Sequence, residues 1–106
     1  MVKTITRIPV ANDSKLQAQT GYSIQIDQTE IALFKVTSGE VFALENRSPH
    51  PKGGVLSEGL VSGMYVYCPV YDWKISLENG MVQAPDEGQV QTFTVEKEGD
   101  TIFLIR

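Results

Sequence analysis

Apolar and polar residues alternate along much of this chain with the two-residue period of a half-buried strand. Gly21-Tyr22-Ser23-Ile24-Gln25-Ile26-Asp27 shows it most cleanly. Thr4 to Ile8 reads as a first strand, ended by Pro9, which has no N–H for a ladder. Asn12-Asp13-Ser14 is a polar turn. Ile31 to Thr37 and Val41 to Glu45 flank Ser38-Gly39-Glu40, and that arrangement predicts a hairpin. Leu56 to Val61 is bounded by glycines and too short for an ordinary helix. Met64 to Cys68 and Trp73 to Leu77 are rich in strand formers, and Glu78-Asn79-Gly80 supplies the positive φ of a turn. Met81-Val82 opens one more strand before Ala84-Pro85-Asp86-Glu87-Gly88 turns the chain. Gln91 to Lys97 and Asp100 to Ile105 close as a hairpin around Glu98-Gly99. Thr101 to Ile105 is nearly all apolar, so a central place in a sheet is expected for it.

No segment sustains a 3.6-residue apolar period over three turns. Many short strands with Gly and Pro turns predict an all-β protein, an antiparallel sandwich or barrel. At 106 residues one domain, 1–106, is the natural expectation. The net charge of -4 argues against a nucleic-acid partner, which calls for clustered Lys and Arg. A single Cys excludes an intramolecular disulfide and points to a reducing compartment. The opening MVKTITRIPVANDS has no apolar core of a leader, and no stretch approaches the ~20 apolar residues of a membrane span. A soluble cytoplasmic protein with no membrane association is expected.

The chemistry concentrates between Asn46 and Gly80, which hold the only His, Cys and Trp. Two Pro-containing loops stand out there: Ser48-Pro49-His50-Pro51-Lys52-Gly53-Gly54 and Cys68-Pro69-Val70-Tyr71-Asp72-Trp73. A lone His in such a loop is most often a hydrogen-bonded structural residue, and a free Cys is most often buried and inert. Asp72 and Glu45 are near in sequence, but no further His or Cys stands at metal-ligand spacing. Gly53-Gly54 lacks the Lys-Ser/Thr and the helix of a phosphate loop, so the pair serves a turn. Trp73 reads as a packing anchor. Val70, Tyr71 and Trp73, with Lys52 and Asp72 at the rim, have the composition of a protein contact patch.

The layout of the two loops resembles the Rieske iron–sulfur domain, whose pattern is Cys-x-His, a spacer, then Cys-x-x-His. In that family two Cys hold one iron and two His hold the other. The corresponding positions here are Ser48, His50, Cys68 and Tyr71. The resemblance implies a Rieske-like antiparallel fold with a two-loop subdomain over 46–80. It also implies a degenerate cluster site, because each iron would keep one protein ligand. Neither a Ser hydroxyl nor a neutral Tyr phenol replaces the lost thiolate and imidazole. A cluster-less chain of this length is similar to the small subunit of bacterial assimilatory NAD(P)H-dependent nitrite reductase. That resemblance implies a non-catalytic subunit that binds no cofactor. Its large partner subunit would carry the FAD, the sirohaem and the iron–sulfur cluster and reduce nitrite to ammonia in nitrate assimilation. Two other functions stay open: a [2Fe–2S] electron-transfer ferredoxin with atypical ligands, and a stand-alone Rieske-fold binding module.

Overall fold

The computed structural model describes residues 7–50, 53–69 and 72–105. Nine strands lie among them: β1 (Arg7–Asn12), β2 (Thr20–Ile26), β3 (Thr29–Lys35), β4 (Val41–Glu45), β5 (Leu60–Ser62), β6 (Tyr65–Tyr67), β7 (Lys74–Ser76), β8 (Thr92–Glu98) and β9 (Thr101–Ile105). Two 3₁₀ turns, Asp13–Lys15 and Leu56–Glu58, are the helical turns among the described residues. No helix of the described residues is long and apolar enough to cross a membrane. The protein is all-β, as the alternating pattern predicts.

Six strands form one antiparallel sheet in the order β1-β9-β8-β4-β3-β2, and β5-β6-β7 form a second. The β3–β4 and β8–β9 hairpins are in long register, but they join each other only at Ala43↔Phe93 and Leu44↔Thr92. That short seam lets the large sheet fold over on itself. Ile31, Leu33 and Ala43 meet Leu104 inside the fold, with Val10, Ile24, Phe93 and Val95 closing around them. The alternate residues of the same strands, Ala32, Phe34 and Leu44, face the other way. They pack against Val61, Val66 and Ile75 of the small sheet and against Leu56, Leu77 and Val90.

Strand β3 is thus the middle layer. Its run Ile31-Ala32-Leu33-Phe34 is completely buried because each face meets a different core. Truncating the largest of these side chains, Phe34→Ala, belongs to a class that costs about 3–5 kcal/mol.

The structure departs from the sequence expectation at three places. Pro9 does not end β1; the strand continues to Asn12 with a bulge between Pro9 and Ala11. β1 is an edge strand, so the missing Pro9 N–H interrupts no ladder on its free side. Thr4 to Thr6 of the expected strand lie outside the described residues. Met81-Val82 makes only isolated bridges, Ile75↔Val82 and Met81↔Gln89, rather than a strand. β9 lies inside the sheet between β1 and β8, one place from the edge. Ile102 and Leu104 are buried on its inner face while Phe103 is half-exposed and stacks under Arg7, 4.1 Å from the guanidinium.

Candidate functional site: two loops at one end

β4 delivers the chain into the first loop through Asn46, which is buried and fully engaged. Its Oδ1 accepts from the Ser57 N–H at 2.8 Å. Its Nδ2 donates to Glu30 Oε2 at 2.8 Å, Ser57 Oγ at 3.0 Å and Ser23 Oγ at 3.2 Å. One amide therefore ties the loop base to β2, β3 and the 3₁₀ turn at Leu56–Glu58. Beyond it, the Ser48 N–H donates to Gly54 O at 2.9 Å and the Gly53 N–H to His50 O at 2.8 Å. These bonds draw Ser48 and His50 toward Gly53 and Gly54. Gly53 and Gly54 sit at φ 76° and 129°, which explains the pair of glycines.

The second loop leaves β6 and closes in the same manner. The Cys68 N–H donates to Trp73 O at 2.9 Å, and the Asp72 N–H to Cys68 O at 3.1 Å. Asp72 holds φ 54°, a left-handed conformation that Asp tolerates better than most residues.

The two loops meet. The Cys68 thiol donates to Ser48 Oγ at 3.0 Å, with Cys68 0% and Ser48 3% exposed. The same Ser48 oxygen accepts the His50 main-chain N–H at 3.2 Å. The His50 ring is half-buried and stands edge-on to the Trp73 ring, 4.7 Å between centroids. Three of the four positions singled out in the sequence, Ser48, His50 and Cys68, are thereby brought together. Tyr71, the fourth, lies outside the described residues, as do Lys52 and Val70 of the expected contact patch. Asp72 is exposed, whereas Trp73 is half-buried and packs part of its ring on the core cluster.

A third segment belongs to this end and was read from sequence only as a turn. Gly88 lies against Pro49, where an added Cβ would come within 3.3 Å of the proline ring. The segment leading to it contains the cis peptide Ala84–Pro85. Neither this contact nor the Asn46 network has a local sequence signal, because their partners are far apart along the chain.

The arrangement does not suit a [2Fe–2S] cluster. Two thiolates on one tetrahedral metal, at bonds of about 2.3 Å, stand about 3.7 Å apart. Here one sulfur is replaced by a hydroxyl, and the two atoms are joined directly by a hydrogen bond. No group of three or more His, Cys, Asp or Glu that could hold a metal ion occurs among the described residues.

No curated protein matches the chain in sequence. Solved structures match it over almost its full length. A protein assigned as the small subunit of an NADPH nitrite reductase superposes with a TM-score of 0.84 at 24% identity, covering 95% of this chain and 99% of that one. A protein from Mycobacterium tuberculosis assigned as an NADH-dependent nitrite reductase small subunit gives 0.83 at 21% identity, covering 100% and 97%. The ferredoxin of carbazole 1,9a-dioxygenase from Nocardioides aromaticivorans IC177 gives 0.85 at 20% identity, covering 93% and 96%. At these identities the likeness establishes the fold. The family model of the Rieske-like [2Fe-2S] domain matches residues 7–105, and the chain belongs to that family.

Proposed function

We propose that this chain is a cluster-free Rieske-fold subunit that works by binding a larger redox protein. The small subunit of an assimilatory NAD(P)H-dependent nitrite reductase is the reading that fits best. The observation that carries it is the Ser48–Cys68 hydrogen bond, which stands where the family's pattern places two cysteines on one iron. A chain with this donor set performs no electron transfer of its own, so nitrite reduction falls to the flavin, sirohaem and iron–sulfur groups of the large subunit. Structures assigned as nitrite reductase small subunits are among those most like it in fold. The reducing cytoplasm suits its single buried thiol.

The loop end is the docking surface in this reading. The described residues of both loops are joined by main-chain hydrogen bonds, which limits the conformational freedom lost on binding. Tyr71 is the aromatic anchor, with Asp72 and Lys52 at the rim. The test is the affinity of the purified chain for the purified large subunit, with thermal melting as control. Tyr71→Ala is expected to weaken binding by about 1–3 kcal/mol, the range of an interface aromatic, with melting unchanged. Undiminished affinity in Tyr71→Ala, together with loss on substituting the far sheet face, would place the interface elsewhere.

A further inference from the structure

Each loop is closed by its own main chain, but neither set of bonds holds one loop to the other. Among the described residues, side chains join the two loops. We infer that Ser48 and Cys68 form a metal-free clasp, a hydroxyl–thiol hydrogen bond that fixes the two loops against each other where the family's pattern places a cluster. The inference rests on the cluster-free reading above and assigns what takes over the cluster's mechanical role.

Three features support it. The bond is short, at 3.0 Å, and both residues are almost completely buried. In that setting a hydroxyl without a partner is costly, whereas a thiol is a weak donor that tolerates burial, so the Ser48 side of the pair is what resists separation. Ser48 Oγ is also the acceptor for the His50 N–H, so one oxygen orders both loops at once. Finally, the clasp is braced on either side: the His50 ring meets Trp73 across the loops, and Pro49 rests on Gly88.

The sole cysteine reports on the clasp directly. In the wild-type protein, modification of Cys68 by a maleimide should be slow, because its sulfur is reached only when the loops part. Ser48→Ala leaves the thiol without its acceptor and should raise that rate at least about tenfold, the scale of one lost buried hydrogen bond. Ile102→Val, which loosens packing under β9 away from the loops, should raise it far less. A wild-type rate in Ser48→Ala, or an equal rise in Ile102→Val, would overturn the clasp. Should Ser48→Ala fail to fold, the wild-type rate decides: modification of Cys68 as fast as that of an exposed thiol would overturn the clasp. Iron analysis of the same preparation separates the two levels of argument. Bound iron would refute the cluster-free reading and the clasp together. Iron-free protein with an unmoved Cys68 rate would refute the clasp alone.

Discussion

Asn46 shows how a single polar side chain can set the position of a loop from beneath it. It is 5% exposed and satisfies both ends of its amide within the protein. Removing it strands the half-buried Ser57 N–H, at a cost of about 1–3 kcal/mol, and takes one donor from the Glu30 carboxylate, which is exposed and regains water. Asn46→Ala should therefore lower stability by about 1–3 kcal/mol in urea unfolding, with the loss concentrated at the loop base. Equal unfolding midpoints for the variant and the wild type would show that the network is dispensable. Ser48 and Cys68 work at the same scale, but between the loops rather than beneath them. The three residues together explain how a loop pair shaped in its relatives' family for metal can hold its form through hydrogen bonds.

At the scale of elements, the end remote from the loops is tied by charge. Asp13, in the turn after β1, lies 3.1 Å from Lys97 of β8 and 3.2 Å from Lys35 of β3. The contact of Oδ1 with Lys35 is an ion pair rather than a well-angled hydrogen bond. The hydrogen bond from Lys97, then the close approach of the Lys35 ammonium, holds the Asp13 carboxyl below its ordinary value of 3.8, against a smaller opposing effect of desolvation. A lowered folded-state value stabilises the protein above the unfolded value, and that stabilisation is lost as pH falls through the folded one. The stability difference between wild type and Asp13→Asn should accordingly be constant near neutrality and shrink only below about pH 4. Unfolding curves from pH 7 to pH 2 check this, and a difference that persists unchanged at pH 2 would contradict it.

How far these elements could be read from sequence depended on whether their causes were local. The β3–β4 and β8–β9 hairpins were legible because Gly39 and Gly99 mark their turns, and both glycines hold positive φ. The two loops were legible as a pair because a family pattern spans them, and Ser48, His50 and Cys68 do converge. The extension of β1 past Pro9 was not legible, since only its place at the sheet edge permits it. Nor was the packing of Gly88 on Pro49, or the closing of Asn46 on Ser23, Glu30 and Ser57. Each of those depends on strands brought together by the fold, and nothing within a local window announces it.

At the scale of the whole molecule, a Rieske-like frame has its two-layered core and its pair of loops but a changed donor set. Residue by residue, His50 and Cys68 remain of the four ligand positions, and they fall on different irons in the family's scheme. In the proposed reading the frame then serves as a surface for a redox partner. The most direct measurement is the iron and acid-labile sulfide content of the protein expressed and purified without oxygen, read beside its visible absorption. The account predicts a colourless protein with neither element bound. Near-stoichiometric iron and sulfide, with visible absorption that bleaches on reduction, would contradict it.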